Sequence, residues 1–155
     1  AYTDEGKELV LKGMKRAGDI MAIMMAHEIP YAATATIAYP DDLRKKVNKA
    51  KALNGQGLRF LHVLAPCPTG WKAEPSKTIE LARLAVQTGI FPLYEFENID
   101  GKKIMEVNQC GTMPVEKYLS AQGRFSHLTK DDIARIQKEI ENKKEFLYKL
   151  KSLYG

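Results

Sequence analysis

The side chains of this 155-residue chain best suited to nucleophilic or metal chemistry are two cysteines, Cys67 and Cys110, and three histidines, His27, His62 and His127. Cys67 lies in the run LAPCPTGW, residues 64–71, between Pro66 and Pro68 and directly after a hydrophobic, strand-like stretch. Proline fixes φ near roughly −65° and drives the residue before it toward extended backbone, so the two prolines hold the chain around Cys67 stiffly. A stiff frame suits a sulfur that must keep one position, as a metal ligand or a nucleophile does. A lone cysteine is also at home as an inert small hydrophobe, and composition leaves Cys67 open between these readings. Cys110, next to Gly111 with no base nearby in sequence, reads as inert. The histidines are far apart. His27 ends an apolar helix and His62 lies in an apolar strand, where structural, hydrogen-bonded rings are expected, and His127 precedes a helix and reads as exposed. No Gly-x-Ser-x-Gly, His-Glu-x-x-His or phosphate-loop pattern is present, so no catalytic residue is assigned from motifs.

The rest of the chain must position that loop. With 45% hydrophobic and 28% charged residues, 155 residues suffice for one domain with a real core. No apolar stretch reaches the roughly 18 to 20 residues of a membrane span, and AYTDEGKELV lacks a signal-peptide pattern, so no membrane partner is expected. Two cysteines are too few for a disulfide framework, which points to a reducing cytoplasm. The net charge of +5 is concentrated in RKKVNKAK (44–51) and KEIENKKEFLYKLK (138–151). Apolar residues recur at helical spacing within both, as at Leu43, Val47 and Ala50, so the lysines read as solvated helix faces rather than a nucleic-acid surface.

Element by element, the pattern alternates. Residues 14–28 read as a helix ending before Pro30, 31–39 as a buried strand running into a loop, and 40–54 as a helix opened by Pro40, Asp41 and Asp42. Residues 57–66 form the clearest strand, apolar on both faces, and therefore expected in the sheet interior. Ser76 can cap a helix closed by Gly89, and Asp100-Gly101 suits the type I′ turn of a hairpin between FPLYEFEN and KKIMEVN. A short helix, a turn at Gly123 and a long helix opened by Thr129 and Asp132 in capping-box spacing complete the chain. This order predicts an α/β fold: a parallel sheet with helices on both faces, plus a carboxy-terminal helical arm. The expected division is 1–112 for the α/β part and 113–155 for the arm, whose stripe of Ile133, Ile136, Ile140 and Leu147 is expected to dock on another subunit. Ligands of such sheets bind beyond the carboxyl ends of the strands, which is where the TATIAYP and APCPTGW loops should meet.

Four segments, AHEIPYAATATIAYPDDL, LHVLAPCPTGW, TIELARLAVQTGIFPLYEFEN and PVEKYLSAQGRFSHLT, resemble successive parts of the β subunit in the 2-oxoacid:ferredoxin oxidoreductase family, most closely the pyruvate type. The resemblance runs in order from about residue 16 to about residue 140 and implies the carboxy-terminal half of that subunit, with a partial thiamine-diphosphate-binding fold. It implies three cofactors in the intact subunit: thiamine diphosphate, Mg²⁺ and a [4Fe-4S] cluster. It also implies oxidative decarboxylation of a 2-oxoacid to an acyl-CoA, with electrons passed to ferredoxin. Partners would be the other subunits (α, γ and δ type), the remainder of β, ferredoxin, the 2-oxoacid and coenzyme A. Other substrates within the family, such as oxalate, 2-oxoisovalerate or an aryl glyoxylate, stay open, as does a non-catalytic basic interaction module.

The resemblance assigns Cys67 as a cluster ligand. Ala1 would match a metal-binding carbonyl, and Tyr2, Thr3 and Asp4 the cofactor-lining residues after it. The family's Gly-Asp-Gly motif and three further cluster cysteines are not in this chain. Asp4 stands where the family has Asn; an acid there would repel an anionic 2-oxoacid, whereas the amide can donate a hydrogen bond. This chain alone is expected to be inactive.

Overall fold

A computed structural model describes residues 19–154 of the chain. Asp19 caps α1 (Ile20–Ala26), its carboxylate accepting the Met21 N–H at 3.1 Å. The chain then enters β1 (Tyr31–Thr36), buried along its whole length. Pro40 starts α2 (Pro40–Ala52), with Asp41 and Asp42 in its first turn and Lys49 and Lys51 in its last, each sign matched to the helix dipole. Gly55 and Gly57 take positive φ in the turn to β2 (Arg59–Leu64). A single helical turn, α3 (Pro68–Trp71), follows, and then α4 (Thr78–Gln87). A short 3-10 turn at Pro75–Lys77 precedes α4, so its N-cap is Lys77 and not the expected Ser76.

The hairpin forms as expected. β3 (Leu93–Ile99) and β4 (Lys102–Gln109) pair antiparallel through Asp100 and Gly101, both at positive φ as a type I′ turn requires. After α5 (Glu116–Ser120), Thr129 and Asp132 close a reciprocal cap on α6 (Lys130–Tyr154): the Asp132 N–H donates to Thr129 Oγ1 at 3.2 Å and the Thr129 N–H to Asp132 Oδ2 at 2.9 Å.

The described strands form one sheet in the order β2-β1-β3-β4. β1 and β2 are parallel, whereas β3 joins β1 antiparallel, so the fold is α/β with a mixed rather than purely parallel sheet. The two-residue turn makes β4 antiparallel to β3, and β3 itself runs opposite to β1, so both ladders on that side of the sheet are antiparallel. Helices cover both faces. Ala32, Phe96 and Met105 pack with Met21 of α1 and Leu147 of α6, while Tyr31 and Ala33 face Leu53 at the end of α2. A third cluster, Ala85, Val115, Tyr118, Leu119, Ile136 and Ile140, joins α4, α5 and α6.

Two expectations are corrected here. β2 lies at an edge of the described sheet and not in its interior, and Val63 is 41% exposed. Its two apolar faces signalled double burial, but among the described residues β1 is its one strand neighbour. The stripe on α6 is covered within this chain and not left for another subunit: Ile136 and Ile140 are buried in the third of the clusters just described and Leu147 in the first. The sheet and α4 offer apolar surface that a reading of the terminal helix in isolation leaves out.

Candidate functional site

Parallel pairing of β1 with β2 sends both chemistry-bearing loops off the same end of the sheet. Thr36 stands opposite Leu64 in register, and its hydroxyl donates to the Leu64 carbonyl at 3.0 Å, tying the two exits together. The strand-end placement expected of TATIAYP and APCPTGW is therefore what the fold produces.

Cys67 is the N-cap of α3, with extended backbone at φ −110° and ψ 97° imposed by the proline that follows it. Its carbonyl accepts the Trp71 N–H at 2.8 Å, so the cysteine is pinned by its own backbone and its side chain caps nothing. The thiol is free and exposed. Gly70 keeps its flank bare, since a Cβ there would come 3.3 Å from the Cys67 sulfur. Lys72 ends the turn in the left-handed region, at φ 51°, and the Ala73 N–H bonds back to the Pro68 carbonyl at 2.9 Å.

The turn is braced by the segment before α6. The Gly123 N–H donates to the Lys72 carbonyl at 3.0 Å. Arg124 lays its guanidinium 4.0 Å from the Trp71 ring and 4.5 Å from the Phe125 ring, and Tyr118 meets Trp71 edge-on at 6.4 Å. Arg124 Nε donates to Gln122 Oε1 at 2.9 Å, and buried Gln122 donates to the Tyr118 carbonyl at 2.7 Å. Burial pulls the Arg124 guanidinium below its usual range, and contact with Tyr118 offsets part of that.

A polar cleft of about 520 Å³ opens beside the β1 exit, lined among others by Tyr39, Asp42, Lys46, Glu95 and Asn108. Lys46, read from the sequence as part of a solvated face, is only 2% exposed. Its ammonium donates to Asp42 at 2.8 Å and to the Thr34 carbonyl at 2.9 Å. Burial lowers the Lys46 pKa, against the pull of Asp42. Lys49, from the same run, bridges Glu95 and Glu97 at 3.1 and 2.8 Å. Tyr31 donates to Glu95 at 2.6 Å, and burial followed by that carboxylate pushes the Tyr31 hydroxyl far up. Among the described residues no buried side-chain nitrogen or oxygen lacks a partner, so this network is self-satisfied and structural.

Glu95 gives a testable pH dependence. Burial pushes its carboxyl up, but the hydrogen bonds from Tyr31 and Lys49 outweigh burial and hold it below the ordinary 4.5. A carboxyl lowered in the folded state takes up protons more readily once unfolded, so its stabilising contribution is complete above the ordinary value and is lost as pH falls through the folded one. Melting temperature should therefore fall as pH drops below the ordinary glutamate value, and less steeply in Glu95→Gln. Parallel acid limbs for the two proteins would remove Glu95 as a source.

The three histidines lie on separate segments, and His127, expected to be exposed, is half-buried. His27 is exposed at the C-cap of α1, and His62 packs edge-on against Phe91 at 5.2 Å, where burial lowers its pKa. Cys110 is half-buried beside Gly89, and burial pushes its thiol up. Among the described residues no three His, Cys, Asp or Glu side chains group as metal ligands. Ala1, Tyr2, Thr3 and Asp4 lie outside the described residues. Chemically, the site can offer one open cysteine sulfur on a hydrogen-bonded turn at the carboxyl edge of the sheet. That suits a cluster ligand whose companions come from elsewhere. The sequence reading missed the bracing by Arg124 and Gly123, although the QGRF run carrying them is unusual enough to be noticed.

No family model matches the chain. Individual relatives do. It is 51% identical over 129 residues to the pyruvate synthase subunit PorB of Methanocaldococcus jannaschii, which covers 83% of this chain and 42% of that protein. It is 47% identical over 136 residues to the ketoisovalerate oxidoreductase subunit VorB of Pyrococcus furiosus, covering 88% and 43%. A third, the VorB subunit of Pyrococcus horikoshii, is 43% identical over 153 residues, covering 99% and 48%. The chain thus spans less than half the length of these relatives.

Proposed function

The chain belongs, over the stretch it spans, to the β subunits of the 2-oxoacid:ferredoxin oxidoreductase family, and from that premise we propose that it forms the Cys67 side of a pyruvate-type active site. The observation that carries the proposal is the exposed Cys67 thiol, fixed on α3 at the shared carboxyl edge of β1 and β2. Cys67 would supply one thiolate to a [4Fe-4S] cluster, with the remaining ligands from outside this chain. When bound, thiamine diphosphate with Mg²⁺ supplies the electron sink for loss of CO₂ from the 2-oxoacid, and the cluster carries electrons onward to ferredoxin, leaving an acyl-CoA. The residues of this chain do the positioning. Pro66 and Pro68 restrict the backbone on either side of the sulfur, Gly70 leaves its flank clear, and Thr36 locks the neighbouring exit to the same edge. Ala1 to Asp4 are the proposed cofactor contacts, Ala1 through its carbonyl to the metal.

The VorB relatives, at 43% and 47% identity, favour a second reading within the family, in which 2-oxoisovalerate is the acid. A basic interaction module fits less well, because Lys46 is buried and Lys49 is already paired with carboxylates. No helix among the described residues is long and apolar enough to cross a membrane, and the proposed location is the cytoplasm.

The test is made on the assembled enzyme containing this chain, purified without oxygen. Iron, acid-labile sulfide and thiamine are quantified, and coenzyme A-dependent reduction of ferredoxin is followed with pyruvate and with 2-oxoisovalerate. The pyruvate reading expects iron, thiamine and a higher kcat/KM for pyruvate. A preference for 2-oxoisovalerate selects the second reading, and an enzyme without iron or thiamine that turns over neither acid overturns both.

A further inference from the structure

We infer that the QGRF turn is a clamp on the Cys67 loop, and that Arg124 is its positioning residue, fixing the direction of the thiol through the face of Trp71. The inference deepens the reading of Cys67 as a cluster ligand and rests on it for any effect on iron. The clamp itself is a matter of packing that can be measured without iron.

Two contacts of different kinds define it. One is backbone to backbone: the Gly123 N–H meets the Lys72 carbonyl at 3.0 Å, at the residue where α3 ends in a left-handed conformation. Position 123 admits only glycine at this distance, since a Cβ would lie 2.9 Å from the Lys72 Cβ and 3.0 Å from its carbonyl oxygen. The other contact is a stack, in which the Arg124 guanidinium lies between the rings of Trp71 and Phe125 at 4.0 and 4.5 Å. A planar guanidinium can satisfy both faces at once, which a lysine ammonium cannot. The Gln122 amide oxygen holds Arg124 Nε, and Gln122 is anchored in turn on Tyr118 of α5, so the stack is tied to the α4–α5–α6 core.

The mechanical path to the sulfur is short. Trp71 is the last residue of α3, and its N–H bonds to the carbonyl of Cys67 itself. A shift of Trp71 that carries its backbone with it therefore disturbs the hydrogen bond that holds the Cys67 carbonyl. Pro66 and Pro68 limit how the backbone bends but do not fix the turn against the rest of the fold. The QGRF contacts do, and this gives a physical reason for the two most distinctive runs of the sequence, APCPTGW and QGRFSHLT, to occur in one chain.

Trp71 is the only tryptophan in the sequence, so its fluorescence reports the loop directly in the 155-residue chain. Acrylamide quenching is compared for the unmodified chain, Arg124→Ala, Arg124→Lys and, as a control for lost positive charge, Arg135→Ala, each with its far-ultraviolet circular dichroism matched. Loss of the stack should raise the open population by about fivefold in Arg124→Ala, and the quenching constant with it. Arg124→Lys should recover only part of the effect, and Arg135→Ala should show none. In the assembled enzyme, Arg124→Ala should shorten the half-life of the reduced cluster toward a chelator and shift or broaden its electron paramagnetic resonance. Arg135→Ala should again match the unmodified enzyme. Quenching that does not change in Arg124→Ala overturns the clamp. Trp71 opening with an unaltered cluster spectrum and half-life, while Cys67→Ala still loses iron, overturns the positioning role but leaves the cysteine assignment standing. Iron retained in Cys67→Ala overturns that assignment, and the quenching result still judges the clamp by itself.

Discussion

Replacing Cys67 with alanine in the assembled enzyme should lower iron per β subunit and collapse ferredoxin reduction, while Cys110→Ala should do neither. A [4Fe-4S] cluster is held by four thiolates, so the loss of one leaves an iron with an open position, and the cluster becomes labile or converts to a three-iron form. The two cysteines differ in the property that matters. Cys67 projects from a rigid turn with a free, exposed sulfur, whereas the Cys110 thiol is half-buried and pushed toward its protonated form by burial. Truncating Cys110 removes a small packed group and should cost on the order of 1 kcal/mol, with iron stoichiometry intact. Trp71→Phe keeps a ring under Arg124 and should also retain iron, although with a weaker stack. Iron analysis and the resonance of the reduced cluster decide the matter. An unchanged spectrum in Cys67→Ala would leave the two prolines shaping an ordinary turn.

The parts of this fold that were readable in advance are those governed by local chemistry. Pro40 with two aspartates, Asp100-Gly101, and Thr129 with Asp132 each state a helix start or a turn within a few residues, and each forms where expected. The location of the Cys67 loop followed from strand order, because parallel neighbours must release their loops at one end. Pairing partners were not readable in the same way. The apolar faces of β2 said that it could be buried on both sides, but not which strands would lie beside it.

Lys46 is the sharpest miss. On a helical wheel it belongs to a charged run, and nothing local shows that the Thr34 carbonyl and Asp42 will meet its ammonium. The signal that was available, Asp42 four residues ahead of Lys46, looks the same for a surface pair. Arg124 is a related case. Family resemblance marked QGRF as distinctive, but its role appears only when Trp71, some fifty positions earlier, is brought under the guanidinium. Contacts between distant segments carry no local signature, and that is where both the buried lysine and the clamp were hidden.

Among the glycines of the described residues, Gly111 should tolerate an added methyl group least. Helix α4 ends with its last carbonyls facing the segment after β4: the Gly111 N–H donates to the Val86 carbonyl at 3.1 Å, and the Met113 N–H to the Gln87 carbonyl at 2.9 Å. These bonds satisfy helix-end acceptors that otherwise have no partner within the helix. The approach is so close that a Cβ on Gly111 would run into the backbone of Gln87. Backbone cannot rotate away as a flexible side chain can. Gly89, at φ 76°, closes the same contact from the other side, since a Cβ there would lie 3.1 Å from the Gly111 carbonyl oxygen. Gly111→Ala must therefore push the strand exit off the helix, straining or breaking both hydrogen bonds, at a cost of about 2 to 4 kcal/mol. In a chain of this size that corresponds to a fall in melting temperature of roughly 6 to 12 °C. Gly101→Ala is the informative comparison: unlike Gly111, Gly101 has a positive φ, 78°, but it has nothing within 4 Å of the added carbon, so the change should cost only about 1 kcal/mol of backbone strain. Both variants are measured by denaturant unfolding at equal slope. If Gly111→Ala proves no more costly than Gly101→Ala, the interlock of α4 with the exit of β4 is looser than these contacts require.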